Sequence, residues 1–252
     1  MILAGGDLGA ARWAFTDRLG GVSSRPFAEL NVATHVGDDP AAVWENRRLV
    51  LGALPGATAL AFWDQVHGAE VAVVTGGPEA GHDRGAGTAT AAPTADAQVT
   101  TVAGIALAVL TADCVPVLLA SRRGQPVVGV AHAGRLGVQR GVVAAAVASL
   151  TERRVRPGDL GALVGPAVCA GCYEVPATMR HEVAVGLPVA AATTAVGTPS
   201  LDLPAAVISQ LREAGVGTVD REETCTAESE RLYSHRRDGV TGRQAGVVWL
   251  PA

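Results

Sequence analysis

Residues 104–134, GIALAVLTADCVPVLLASRRGQPVVGVAHAG, decide how this chain folds. Three runs within them, 104–110, 115–120 and 127–131, are short and apolar throughout rather than alternating, which predicts central strands covered on both faces. TADC and SRRGQP separate the runs. After HAGRLG comes VQRGVVAAAVASLTERR, with a small-residue apolar face and a charged end, so a helix is expected to start just beyond His132.

Upstream, residues 43–51 (VWENRRLVL) carry apolar residues at helical spacing, and Asp39 in the preceding turn can cap that helix. Runs 60–66 and 70–74 read as strands meeting at His67-Gly68. Residues 76–94, GGPEAGHDRGAGTATAAPT, have almost nothing to bury and read as a mobile surface loop. Downstream, a strand over 161–165, helices over 177–185 and 204–214, and a closing strand over 246–250 complete an α/β pattern. No repeat or long linker divides the chain, so one domain over 1–252 is expected.

With 48% apolar residues and only 4% aromatic, the 252-residue chain suits helices packed on buried strands. A formal charge of −4 and a pI near 5.9 provide no net basic field for nucleic acid, which leaves a small molecule as the expected partner. No apolar run reaches the roughly 20 residues that span a bilayer, and the start lacks the features of a secretory leader, so no membrane partner and a cytoplasmic location are expected. Four cysteines are too few for a disulfide framework.

His67, Cys114 and His132 each fall at the end of a buried element, where α/β folds place their sites. Histidine and cysteine are ligands zinc prefers, and three of them leave a position open, as in catalytic zinc sites. Their spacing nevertheless matches no compact metal motif. A histidine before a small residue can be a turn residue, a lone cysteine in an apolar stretch a buried small hydrophobe, and Asp113 a turn cap. Cys169 and Cys172 form the one C-x-x-C; no second pair exists at zinc-ribbon spacing, so these read as structural cysteines. Arginines at 47, 48, 236, 237 and 243 suit phosphate or carboxylate, although arginine pairs are commonly solvated. The run CTAESERLYSHRRDGVTGRQAG mixes Cys, Tyr, His, Arg and Asp with small residues and looks more like a site loop.

Four segments, FWDQVHGAEV (62–71), LTADCVPVLLA (110–120), VAHAGRLG (130–137) and LYSHRRDGVTGRQAGVVWL (232–250), resemble the laccase-like, multicopper polyphenol oxidase family, also described as peptidoglycan editing factors. LNVATHVGDDPAAVWENRRLV (30–50), ADAQVT (95–100) and GPAVCAGCYEV (165–175) look like further blocks, in the family's order over nearly the whole chain. The resemblance implies an α/β (α+β) fold of mixed β-sheets covered by helices, a layered sandwich like that of cytotoxic necrotizing factor. It also implies one Zn2+ on His67, Cys114 and His132, with Cu2+ possible at the same site. The implied activities are phosphorolysis of adenosine, inosine and methylthioadenosine with phosphate, and deamination of adenosine to inosine.

An open zinc position suits the deamination, because such a metal lowers the pKa of water; Asp113 is the candidate for proton transfer. Phosphorolysis needs an anion site, for which the helix N-terminus after His132 and Arg48, Arg236 and Arg243 are candidates. Where the family usually reads HAGWRG this chain reads HAGRLG, with Leu136 in place of arginine, and Arg135 or Arg140 are the candidates to replace it. Three other readings compete. Cys114 with a histidine could act as a hydrolase or amidase on cell-wall precursors. Copper polyphenol oxidation ranks below it, because a multicopper enzyme needs about ten histidines and the chain has six, with no H-x-H. A non-catalytic binding remnant has only the altered HAGRLG block in its favour.

Overall fold

A computed structural model describes residues 1–76 and 94–252, so the loop expected over 76–94 lies, apart from its two ends, outside the described residues. The chain begins with β1 (Ile2–Leu8), β2 (Ala11–Thr16), α1 (Pro40–Gly52), β3 (Ala59–Ala61) and β4 (Val71–Val74). The central strands follow as β5 (Ala97–Thr100), β6 (Ile105–Thr111), β7 (Val115–Ser121) and β8 (Val128–Ala133). Then come α2 (Arg135–Arg140), α3 (Val142–Thr151), β9 (Leu160–Val164), α4 (Ala177–Gly186), β10 (Ala191–Thr193) and β11 (Pro199–Leu201). The chain ends with α5 (Leu203–Glu213), β12 (Thr218–Arg221), α6 (His235–Asp238) and β13 (Gln244–Trp249).

Two mixed sheets stack face to face. One runs β1-β2-β13-β6-β3 and the other β12-β9-β7-β8-β5-β4, while β10 and β11 form a separate hairpin. Side-chain alternation along β6 and β7 creates the layers. Ile105, Leu107 and Val109 meet Leu118 and Ala120 between the sheets. The opposite face of β6, Ala106, Ala108 and Leu110, packs towards Val50 of α1. Val115, Val117 and Leu119 on the other face of β7 pack among Val143, Val147 and Leu150 of α3 and Val207 and Leu211 of α5. Every residue of β6, β7 and β8 is buried, as their uniformly apolar sequence predicts.

β6 and β7 belong to different sheets, so the TADC turn carries the chain from one layer to the other. The segments β3–β4 and β12–β13 make similar passages. The strand expected over 60–66 accordingly stops at Ala61. Beyond it the Gln65 side chain completes the sheet edge, its Nε2 donating to the Leu110 carbonyl and its Oε1 accepting from the Leu110 amide, both at 2.8 Å.

Helix α1 starts at Pro40, earlier than expected, with Asp39 as its cap through the Ala41 amide at 3.0 Å. The helix expected after His132 is two helices. Gly141, at φ 84°, ends α2 and precedes α3, a conformation other residues rarely take. Strands β1 and β2 escape the sequence reading because β1 is a half-exposed edge strand (ILAGGDL) that lacks an apolar signature. Among the described residues no helix is long and apolar enough to cross a membrane.

Leu107 is fully buried between the sheets. Leu107→Ala is expected to destabilise the protein by about 2–5 kcal/mol, read as a lower midpoint in urea unfolding with unchanged slope.

Candidate metal centre

Asp96 stands at the entrance to β5 with its side chain fully buried. Its carboxylate accepts hydrogen bonds from the amides of Val66 (3.2 Å), His67 (2.9 Å) and Gly68 (2.6 Å), so the loop between β3 and β4 wraps around one charge. It also accepts from His132 Nδ1 at 2.9 Å. A carboxylate can only accept, which puts the proton on Nδ1 and leaves Nε2 as the ligating nitrogen. Burial pushes the Asp96 carboxyl up, but His132 and the loop amides outweigh it and hold it below the usual carboxylate range.

His67 takes φ 59° at the tip of that loop, and its carbonyl accepts from Arg140 Nη1 at 2.8 Å. Cys114 follows Asp113, which has φ 93° where the chain turns from β6 to β7. Nε2 of His67 lies 3.7 Å from Cys114 Sγ, and the two imidazoles meet edge to face at 4.7 Å. One ligand atom from each of His67, Cys114 and His132 falls within 4.8 Å of the others. Gly134 fits against them because it lacks a side chain: a Cβ there would lie 2.6 Å from His67 Cδ2 and 2.9 Å from Cys114 Sγ. Two imidazoles and a thiolate with a side left open match the donor set of a catalytic zinc and also suit copper.

Without a metal, the cluster is an ion pair. Burial raises the Cys114 thiol, but His132 and His67 outweigh that and bring it down to about 6. Burial likewise opposes charge on His132, but Cys114 and Asp96 raise it to about 9.

A cavity of about 440 Å³ opens beside Cys114, lined also by Asp113, Arg135, Tyr173, His235 and Arg236. The Arg236 guanidinium lies 5.1 Å from the centre of the Tyr173 ring. Burial raises the Tyr173 hydroxyl above its ordinary range, with the Cys114 charge adding to it and Arg135 and Arg236 opposing, so Tyr173 stays neutral.

The other candidates separate clearly. Asp113 lines the cavity, but its carboxylate is held by Thr226 Oγ1 (2.6 Å), Ser234 Oγ (2.7 Å) and the Arg236 amide (2.6 Å). That places it as an anchor for the segment between β12 and β13 rather than as an unencumbered base. Arg48 is solvent-exposed, forks onto Glu45 one helical turn away and does not line this cavity. Arg243 is partly buried and donates to the Thr241 and Gly242 carbonyls, and burial lowers its pKa while the charges of Cys114 and Asp113 raise it. Of the two residues considered for the role lost at Leu136, Arg135 reaches the cavity, whereas Arg140 braces the His67 loop. The six-residue α2 is too short to supply much dipole.

Three residues of the site were not singled out in the sequence: Asp96, Tyr173 and His235. ADAQVT and GPAVCAGCYEV contain two of them, but linear spacing carries no sign that they converge.

The family described as multi-copper polyphenol oxidoreductase laccase matches residues 12–251. A purine nucleoside phosphorylase of Streptomyces coelicolor is 50% identical, with 95% of this chain and 96% of the relative covered. One from Escherichia coli K12 is 35% identical over 92% and 91%. YlmD from Geobacillus stearothermophilus superposes with a TM-score of 0.86 at 34% identity, covering 97% of this chain and 93% of that one. The Neisseria meningitidis protein NMB0706, of family DUF152, gives 0.83 at 34%, covering 100% and 99%.

Asp96→Ala removes the acceptor for four donors. It is expected to weaken metal binding about 10–100-fold and to destabilise the fold by about 3–5 kcal/mol, measured by competition with a chromophoric chelator and by thermal unfolding. In the metal-free protein, alkylation of Cys114 by iodoacetamide should rise with pH through a midpoint near 6, because the lowered pKa makes the thiolate present above that value and lost below it. Bound zinc should suppress the reaction at every pH; a midpoint in the ordinary thiol range would rule out the pairing with His132.

Proposed function

The chain belongs to the multi-copper polyphenol oxidoreductase laccase family, and from that premise we propose that it is a metal-dependent purine nucleoside phosphorylase. One observation carries the reading: a cavity of nucleoside dimensions, about 440 Å³, borders Cys114 of the His/Cys/His cluster and carries two guanidiniums, Arg135 and Arg236, on its wall. The names of its relatives support it.

Phosphorolysis joins a phosphate oxygen to the sugar C1′ while the bond from C1′ to the purine nitrogen breaks and its electron pair leaves with the base. Arg135 and Arg236 would hold the phosphate, with the neutral Tyr173 hydroxyl on the same cavity wall as a further donor. Arg135 thereby takes over the charge absent at Leu136, which is exposed. Asp113 fixes the backbone of Arg236, and Asp96 fixes both histidines, so the two halves of the site are held at constant separation. Zinc on His67, Cys114 and His132 would supply Lewis-acid charge towards the purine, suited both to the departing base and to deamination of adenosine at C6. Adenosine, inosine and methylthioadenosine are the substrates of this reading, and the cytoplasm is its setting.

The thiolate–imidazolium pair of the metal-free cluster supports a second reading, a Cys114/His132 hydrolase or amidase acting on peptidoglycan precursors. The two readings exclude each other in one molecule, because a metal-bound thiolate is a poor nucleophile. Copper suits the same three donors, but the described residues contain no histidine-rich cluster of the kind a multicopper oxidase uses.

Zinc-loaded protein incubated with adenosine should release adenine only when phosphate is present, and inosine with or without it, as separated by chromatography. Arg135→Ala and Arg236→Ala are each expected to raise KM for phosphate about 10–100-fold, corresponding to one charge-assisted hydrogen bond. Absence of both products from fully metallated protein overturns the proposal.

A further inference from the structure

Across the wall of the cavity, Cys169, Cys172, Cys225 and Glu228 bring three sulfurs and one carboxylate oxygen within 4.8 Å of one another. We propose that these four residues form a second metal site, a closed structural zinc site distinct from the His67, Cys114 and His132 cluster. It does not rest on the phosphorolysis reading.

The donors are assembled by backbone rather than by chance contact of mobile side chains. Cys169-Ala170-Gly171-Cys172 closes a turn in which the amides of Cys172 and Tyr173 both donate to the Cys169 carbonyl at 3.0 Å. A second turn, from the Ser229 amide to the Cys225 carbonyl at 3.0 Å, folds Glu228 back towards Cys225. The two turns are clamped side by side by a parallel bridge between Ala167 and Cys225 and by the Thr226 amide on the Ala167 carbonyl at 3.1 Å. Glu228 Oε1 thus stands 3.4 Å from Cys172 Sγ and 3.9 Å from Cys169 Sγ.

The dimensions suit zinc. Bonds of about 2.3 Å to tetrahedral zinc put sulfurs roughly 3.8 Å apart, so small side-chain rotations would close the shell. Three thiolates and one carboxylate make four ligands with no position left open, which is the structural class of site, and the soft donor set disfavours magnesium and calcium. The Cys169 amide points at Cys225 Sγ at 3.3 Å, a hydrogen bond of the kind that stabilises a ligating thiolate. Without a cation the thiols of Cys169 and Cys172 donate to Glu228 Oε1, and the same closeness persists.

The site would act by position. Val168 and Tyr173, which line the cavity, lie beside the first turn, and Thr226, which holds Asp113, follows Cys225. Zinc here would fix that wall relative to Cys114 without touching a substrate. The one C-x-x-C in the sequence seemed to lack a second pair; folding supplies a single cysteine and a glutamate instead.

The chain has only four cysteines, which permits a decisive experiment. In Cys114→Ser protein every remaining thiolate belongs to the proposed site. Zinc-loaded, desalted wild-type protein is expected to hold two zinc per chain, and Cys114→Ser protein one. Cobalt added to Cys114→Ser protein should give an intense thiolate-to-cobalt absorption band and tetrahedral visible bands. Glu228→Gln in that background, which leaves all three sulfurs in place, should weaken zinc binding at least about tenfold through loss of the charged ligand. Cys114→Ser protein that unfolds cooperatively yet binds no zinc and gives no thiolate band overturns the proposal. So does a disulfide among Cys169, Cys172 and Cys225 in protein purified under reducing conditions. Phosphorolysis can fail while these metal counts stand, and the reverse holds equally.

Discussion

The buried carboxylate of Asp96 is the interaction on which the rest of the centre depends. It faces four donors at once, three amides of the loop that carries His67 and the Nδ1 proton of His132. An unpaired charge in that place would be costly, whereas one surrounded by donors is held firmly ionised. The same four bonds that satisfy it also set the direction of the His132 imidazole and the course of the loop that carries His67. A single residue therefore converts a folding constraint into ligand geometry, and its hydrogen bond adds to the charge of Cys114 in raising the His132 imidazole.

The layering explains why the centre is where it is. β6, β7 and β8 are buried on both faces, so the polar groups of these strands that can meet a substrate stand at their ends. Chemistry is confined to places where the chain leaves a sheet. His67 and Cys114 stand on passages from the five-stranded to the six-stranded sheet, Arg236 stands on the return passage, and His132 is next to last in β8. Positive φ at His67 and Asp113 marks how tightly two of these passages turn. Gly134 completes the arrangement by leaving the space into which His67 and Cys114 project.

The cavity wall is held less by apolar packing than by directed polar contacts. Asp113 collects two hydroxyls and an amide from the segment between β12 and β13, and in doing so fixes Arg236 above Tyr173. The turns bearing Cys169, Cys172 and Cys225 stand behind the same wall.

Much of this was legible in the chain itself. Uniformly apolar runs over 104–131 required strands covered on both faces, and the helical spacing of VWENRRL and its Asp39 cap located α1; both readings depend on local periodicity, which sequence records directly. The motifs QVHG, ADC and HAG identified the residues that the fold brings within 4.8 Å. Three matters depended on the fold: the division of β6 and β7 between two sheets, the break at Gly141, and the roles of Asp96 and Tyr173. Each is a relation between residues distant in sequence or a competition among backbone conformations, and neither leaves a periodic trace. The C-x-x-C makes the same distinction: its two thiols are visible in eleven letters of sequence, but Cys225 and Glu228 join them only because a parallel bridge at Ala167 places two turns side by side.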